Sequence, residues 1–232
     1  HEESYKNYQI ALSLFDRINN FEGKANVYNN LATYFASRDK INQAIDYINM
    51  SIRILVTANR NNAAATAYYN ASILYSRLKE CDTAKLYLDS ALINYEFTNN
   101  IHGIANVYNE EAKLCHQNKN YKNAIDLLYK SLELRKKVGS LSSEAQTIKQ
   151  ISDFYSESGN HEKALYYFKE YQTLKDSIFD LNTRKVISEL NIKYETEKKD
   201  TEINLLKKES AIKRVQNNLL IIISLAFAIV SV

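Results

Sequence analysis

Four alanines recur at an interval of forty residues along the chain: Ala44, Ala84, Ala124 and Ala164. Each lies in a similar seven-residue segment, and the four segments are NQAIDYI, DTAKLYL, KNAIDLL and EKALYYF. A longer match extends over two periods, since NFEGKANVYNN at 20–30 returns as NIHGIANVYNE at 100–110. A regular period of this length is typical of an array of helical repeats.

Within one period the apolar residues follow two helical stripes. The first stripe runs from Tyr28 to Phe35 and the second from Ala44 to Ser51, with the polar segment SRDKIN between them. This spacing predicts a pair of antiparallel helices in each unit. The chain has no proline and only four glycines, so nothing interrupts the helices for long stretches. We expect the recurring alanines to be structural, because a large side chain where two helices cross would cost roughly 1–3 kcal/mol.

The order of an aromatic residue, a leucine beside a small residue, a tyrosine and then alanine resembles the tetratricopeptide repeat. This resemblance implies an all-α superhelical solenoid of antiparallel helix pairs, with Gly159 at a turn glycine typical of the family. The period of forty residues departs from the usual length of about 34. In addition, Glu111 occupies the leucine position of the third unit.

The period divides the chain into successive segments. Residues 1–18 are expected to be the second helix of a partial repeat, and four repeats follow at 19–59, 60–99, 100–139 and 140–172. A charged helical linker at 173–218 then leads to an apolar segment at 219–232. Because the chain starts inside a repeat without an initiator methionine or a signal peptide, we expect a fragment of a longer protein.

The linker at 173–218 contains neither proline nor glycine and predicts one long helix. Its first part is expected to cap the last repeat through Leu174, Ile178, Leu181 and Ile187. Further on, three pairs have the spacing of i,i+4 ion pairs, each worth roughly 0.2–0.5 kcal/mol: Glu189/Lys193, Glu195/Lys199 and Glu209/Lys213. A heptad seam at Ile187, Leu190 and Tyr194 raises the hypothesis of a coiled-coil homodimer, although 195–202 supplies no apolar residue.

The last segment, Leu219–Val232, is uncharged and apolar on every face. As a helix it would span about 21 Å, against roughly 30 Å for the hydrocarbon core of a bilayer. We interpret it as a truncated transmembrane helix, preceded by basic residues that suit a membrane surface. The alternative is a buried helix that closes the solenoid, which should instead be polar on its outer side.

The sequence indicates no catalytic residues, no cofactor and no metal. It has no phosphate-binding glycine loop, nucleophile elbow or dinucleotide fingerprint. Cys81 and Cys115 lie in different units and are interpreted as small buried hydrophobic residues. The four histidines do not have the spacing of metal ligands. A net charge of only +3 over 232 residues does not indicate a nucleic-acid partner.

Binding is the function that the family resemblance implies. The first helices of stacked pairs line a concave groove, and the expected ligand is a peptide or a protein. The ligand-facing positions hold Asn26, Asn29, Thr33, Thr66, Tyr69, Ile73, Arg77, Asn106, Asn109, Lys113, His116, Gln146, Lys149 and Asp153.

Amides and hydroxyls in these positions suit an extended peptide backbone. Arg77, Lys113 and Lys149 could receive an acidic group. The alternative is that Asn30 and Asn70 occupy a position where family members often use asparagine to tie helices together, and that exposed asparagines are simply solvated. A clamp for a C-terminal carboxylate, known in some family members, is not reproduced, since the corresponding positions hold Asn29 and Thr33.

Repeats followed by a charged helix and a membrane helix resemble the N-terminal sensor region of bacterial repeat-containing membrane histidine kinases and helix-turn-helix regulators. This resemblance implies a protein of the inner membrane with periplasmic repeats and an output domain beyond residue 232. One alternative is a tail-anchored adaptor with cytoplasmic repeats, which the basic residues before Leu219 favour. Another is a soluble regulator that responds to peptides. The ligand, the orientation and the oligomeric state stay open.

Overall fold

The computed structural model describes the backbone of residues 2–230 and the side chains of residues 3–181 and 183–213. Over this range the chain forms α-helices and turns without a β-strand, which confirms the all-α prediction. The helices are α1 (Glu2–Arg17), α2 (Phe21–Ala36), α3 (Ile41–Thr57), α4 (Asn61–Arg77), α5 (Cys81–Phe97), α6 (Ile101–Gln117), α7 (Tyr121–Val138), α8 (Leu141–Glu157) and α9 (His161–Val230). The first compact unit is His1–Lys175 and the second is Asp176–Val232.

The turns between helices are spaced at twenty residues. Each turn contains one residue with a left-handed backbone: Asn19, Asp39, Asn59, Lys79, Asn99, Lys119, Gly139 and Gly159. The amide of the following residue donates back across the turn, as Lys40 N does to Phe35 O over 3.0 Å. This Schellman arrangement satisfies carbonyls at the helix end. The forty-residue period is therefore built from two helix-and-turn units of equal length.

Small residues lie where the two helices of a pair meet. Ala44, Ala84 and Ala124 are fully buried and Ala164 is 8% exposed, as the sequence predicts. Seven positions after Ala44, the Ser51 hydroxyl donates to the carbonyl of Ala25 on the neighbouring helix over 2.8 Å. Ser131 makes the equivalent bond to Ala105 over 2.8 Å. Side-chain hydrogen bonds to the backbone thus reinforce the packing within these pairs.

The core of the first unit consists of three successive clusters of buried side chains. They centre on Ile48 and Leu55, on Leu88 and Tyr95, and on Leu128 and Ile151. Leu174 of α9 packs against the third cluster, at the end of the last repeat. Leu181 and Ile187, also expected to act as caps, lie in the second unit and are each 53% exposed.

The second unit is the remainder of α9. Ile187, Leu190 and Tyr194 are exposed along it. Its ion pairs include Lys185–Glu189 and Lys193–Glu197, each 3.9 Å long. The predicted Glu189/Lys193 pair is therefore wrong, because each side chain turns to its other i,i+4 neighbour.

No helix in the described part of the chain is long and apolar enough to cross a membrane. The predicted transmembrane helix at 219–232 falls outside the residues whose side chains are described.

Candidate functional site

The helices α2, α4, α6 and α8 form one surface of the first unit, which we call the first-helix face. Hydrogen bonds between residues forty-one positions apart join these helices. Asn70 donates its amide hydrogen to Asn29 Oδ1 over 2.9 Å, and Asn109 donates to Gln150 Oε1 over 2.6 Å. Of the two asparagines expected to tie helices together, Asn30 and Asn70, Asn70 makes such a bond, and its partner Asn29 was predicted to face a ligand.

A second set of contacts with the same separation lies nearer the ends of these helices. Arg77 Nη1 donates to the carbonyl of Ala36 over 2.7 Å, and Gln117 Nε2 donates to Ser76 Oγ over 3.3 Å. At the next interface, His116 Nε2 lies 2.8 Å from Glu157 Oε2. Two sets of polar contacts thus fix the register of the first helices against each other.

At the interface between α4 and α6, Tyr69 and Glu110 occupy the positions that Asn29 and Asn70 occupy between α2 and α4. Glu110 is only 4% exposed and accepts a hydrogen bond from Lys113 Nζ over 2.7 Å. Burial, followed by the negative charge of Glu110, raises the pKa of Tyr69 to about 12. The phenol therefore stays protonated and available as a donor at neutral pH.

A buried arginine from a second helix reaches the same region. Arg135 of α7 is 7% exposed. Its Nε donates to Ser131 Oγ and its Nη2 to Asn106 Oδ1, each over 3.1 Å. One repeat earlier, the hydroxyls of Thr66 and Tyr95 make the equivalent contact over 3.0 Å. The middle of the first-helix face is thus a polar cluster formed by Tyr69, Asn106, Glu110, Lys113 and Arg135.

The predicted ligand-facing residues differ in how much of them is accessible. Seven are exposed: Asn26, Thr33, Thr66, Arg77, Gln146, Lys149 and Asp153. Six are half-buried: Asn29, Tyr69, Ile73, Asn106, Lys113 and His116. Asn109 is buried against Gln150. The exposed set is the part of the prediction that a ligand could reach without rearrangement of the helices.

The three cations expected to receive an acidic ligand already have acidic partners. Arg77 Nη2 lies 3.0 Å from Asp39, and Lys113 lies 2.7 Å from Glu110. Lys149 lies 3.7 Å from Asp153, another predicted groove residue. An acidic ligand would have to compete with these carboxylates, and binding of an acidic group at these cations stays a prediction.

Comparison with known proteins points to one repeat family. Residues 103–177 match the tetratricopeptide repeat family. The search of curated proteins gave no significant match. The structure is similar to BtubC from P. vanneervenii, with a TM-score of 0.65 and 16% identity over 76% of each chain.

Two further structures are larger than this chain. Aspartyl phosphate phosphatase F from Bacillus subtilis has a TM-score of 0.70 and 15% identity over 76% of this chain and 46% of its own. A Rap protein complexed with Competence and Sporulation Factor has a TM-score of 0.66 and 14% identity, over 72% of this chain and 46% of its own. The first unit is a tetratricopeptide-repeat-like solenoid. This confirms the predicted fold for that unit, and at these identities the structural likeness concerns the fold alone.

Sequence reasoning missed two charged residues of this solenoid, Glu110 and Arg135. Arg135 occupies the position of Leu55 and Tyr95 in earlier repeats, and both of those are buried. A charge at a position that is otherwise apolar was therefore the available signal. Glu110 occupies the position of Asn30 and Asn70 in the two earlier repeats. The only signal in the sequence was therefore the change from an amide to a carboxylate.

The cysteines lie closer together in space than their separate repeats suggested. Cys81 and Cys115 are both half-buried and line the same cavity. Burial raises the pKa of the Cys115 thiol, and the nearby carboxylate of Glu111 adds to this effect. A raised pKa disfavours the thiolate and so does not suit a nucleophile.

Proposed function

We propose that the first unit is a peptide- or protein-binding module and that the first-helix face is its binding surface. The observation that carries this proposal is the polar cross-linking of α2, α4, α6 and α8 by side chains forty-one residues apart. A surface held in register before binding loses little conformational entropy when a ligand arrives.

The exposed groups of this face suit a ligand with free backbone amides and carbonyls. Asn26 and Gln146 carry side-chain amides, and Thr33 and Thr66 carry hydroxyls. Each amide can both donate and accept, which matches the alternating groups of an extended peptide. The half-buried Tyr69 adds an aromatic surface near the middle. A similar fold in the Rap protein complexed with Competence and Sporulation Factor supports a binding role.

The charges of the face argue against a strongly acidic ligand. Arg77, Lys113 and Lys149 are each paired with a carboxylate of the same chain. Because exposed pairs of this kind contribute little free energy, a ligand with one charged group could exchange with them. A run of acidic residues would meet the exposed carboxylates of Asp39 and Asp153 as well as the cations. We therefore propose a ligand of low net charge.

Selection from a random peptide library on the full chain tests this proposal. Peptides bound by the wild type are then measured against a variant with Thr66→Arg and Gln146→Arg on the first-helix face. The control matched in net charge carries Gln43→Arg and Glu162→Gln, at exposed positions on second helices. We expect the face variant to bind about tenfold more weakly or worse and the control to bind as the wild type. Equal affinities for all three proteins would reject the face as the binding surface.

We further propose that binding serves a membrane-associated sensor, with periplasmic repeats and an output domain beyond residue 232. This rests on the apolar run at 219–232 in the sequence and, for pairing of two chains, on the exposed Ile187, Leu190 and Tyr194. Alkaline phosphatase or a fluorescent protein inserted at Gly139 in the full-length gene tests the orientation. Active phosphatase supports the sensor, whereas fluorescence alone supports the cytoplasmic tail-anchored adaptor.

A further inference from the structure

Three of the four helix pairs contain the same stack of two aromatic rings. The rings are twelve residues apart in sequence, one on each helix of the pair. Phe35 and Tyr47 stack with centroids 5.3 Å apart, and Tyr75 and Tyr87 stack at 5.1 Å. In the last pair Tyr155 and Tyr167 stack at 5.7 Å.

The third pair lacks both rings and has a cavity in their place. Cys115 and Leu127 occupy the two ring positions. A cavity of about 510 Å³ opens between α5, α6 and α7, and both residues line it. This volume lies within the range of roughly 300–1,000 Å³ that is usual for small-molecule sites. The cavity faces α5 and α7 and is separate from the exposed residues of the first-helix face.

The cavity wall carries an ion pair that the other interfaces lack. Lys85 donates to the carboxylate of Glu111, and this carboxylate is nearly buried. The equivalent positions are apolar elsewhere: Ile45 with Ala71, and Ile125 with Ile151. Neither position is charged in those repeats. The rest of the cavity lining is mixed: Cys81, Leu114, Cys115 and Leu127 are apolar, and Asp82, Asn118, Asn123, Asp126 and Lys130 are polar.

The position that would bind the hydroxyl of a tyrosine is still polar. Tyr87 donates its hydroxyl to Asn49 over 3.3 Å, and Tyr129 donates to the Tyr167 hydroxyl over 2.8 Å. In both cases the partner lies thirty-eight residues before the stacked tyrosine. In the third pair Leu127 replaces that tyrosine, and the residue thirty-eight positions earlier is Asp89. Asp89 instead accepts a hydrogen bond from Lys85 over 2.7 Å. Asp89 does not line the cavity, but the Glu111 carboxylate, which shares Lys85 with it, does. An acceptor for a hydroxyl is thus present at the cavity wall, where this chain supplies no phenol.

We propose that this cavity binds a phenolic ring from outside the chain. The ring lies against Cys115 and Leu127, where the other repeats place their own aromatic pair. Its hydroxyl donates to the carboxylate of Glu111, which lines the cavity and which Lys85 holds in place. The ring belongs either to a free phenolic compound or to a tyrosine side chain of a partner.

Thiol labelling of the full chain measures occupancy directly, because the only two cysteines both line the cavity. We expect 4-methylphenol at ten times its Kd to slow labelling by about tenfold. Toluene, which has the same ring without the hydroxyl, should protect far less. Equal protection by toluene, or no protection by either compound, would overturn the proposal.

Variants show whether protection from labelling comes from a ligand in the cavity or from a general change in the stability of the fold. Leu127→Tyr fills the cavity from inside and should abolish protection of Cys81. Two variants leave the cavity open: Glu111→Gln keeps a side-chain acceptor and should retain the preference for 4-methylphenol over toluene, whereas Glu111→Leu should lose it. Retention of the preference in both variants would contradict the role of Glu111.

The same assay distinguishes the source of the ring. The peptide Gly-Gly-Tyr-Gly-Gly is compared with Gly-Gly-Phe-Gly-Gly. Protection by the tyrosine peptide and by 4-methylphenol assigns the site to a partner's tyrosine. Protection by 4-methylphenol alone assigns it to a free phenolic compound. Since the first-helix face is not probed, this test can fail while the proposed peptide-binding function stands.

Discussion

Asn109 on α6 donates its side-chain amide hydrogen to Oε1 of Gln150 on α8 over 2.6 Å. Asn29 on α2 and Asn70 on α4 hold the equivalent positions two repeats earlier, and their side chains are also joined by a hydrogen bond. Because both groups at the later interface are largely shielded from water, this bond fixes the register of the last two repeats.

Replacing Asn109 with alanine should destabilise the chain by roughly 1–2 kcal/mol, since the amide of Gln150 loses its partner. Urea unfolding followed by circular dichroism measures this change. The control is Asn26→Ala on the exposed part of the same face, for which we expect a change within about 0.5 kcal/mol. If both variants unfold at the same urea concentration, the Asn109–Gln150 bond does not contribute to stability.

The turns at Lys79 and Lys119 should be improved by glycine. Both lysines have a left-handed backbone, with φ of 63° and 57°, which glycine adopts without a steric penalty. Lys79→Gly and Lys119→Gly should each stabilise the fold by up to about 1 kcal/mol. Lys169→Gly, inside α9, should instead destabilise the fold, because glycine weakens a helix interior. Thermal unfolding of the three variants distinguishes these signs.

Gly103 marks a close approach of two helices. A Cβ atom there would lie 2.5 Å from the ring of Tyr95, which is buried and bonded to Thr66. Gly103→Ala should therefore destabilise by roughly 1–3 kcal/mol through overpacking, less the gain in helix propensity. In a Tyr95→Leu background the same change should be tolerated, because Leu55 fills this position in the first repeat. An equal cost in both backgrounds would show that Tyr95 is not the obstacle.

The raised pKa of Tyr69 predicts a loss of stability at high pH. Its pKa is about 12 in the folded chain, against an ordinary value of about 10. The folded state therefore holds the proton more tightly, so the contribution is complete below pH 10 and is lost as the pH rises towards 12. Between these values the melting temperature of Tyr69→Phe should fall less steeply than that of the wild type. The control is Tyr166→Phe, at an exposed tyrosine, whose profile should follow the wild type.

The periodic features were predictable from the sequence because they recur. Ala44, Ala84, Ala124 and Ala164 fix the crossing of each helix pair, and their spacing alone revealed both the helices and the solenoid. The buried charges were harder to predict, because the equivalent positions of Glu110 and Arg135 in the earlier repeats hold uncharged residues. A residue that departs from its repeat shows that something differs there, but not which group it meets.

The sequence by itself determined the class of fold, the length of the repeat and the face on which a ligand would be sought, since helix formation and close approach depend on local spacing. Only the tertiary structure decided that Arg77 has an acidic partner in Asp39, thirty-eight residues earlier, whereas Lys113–Glu110 and Lys149–Asp153 are pairs within one helix. It also brought Cys81, Cys115 and the Lys85–Glu111 pair around one cavity. The Arg77–Asp39 contact and the cavity bring together side chains that are far apart in sequence. Their partners depend on how neighbouring repeats pack, which no pattern within a single repeat specifies.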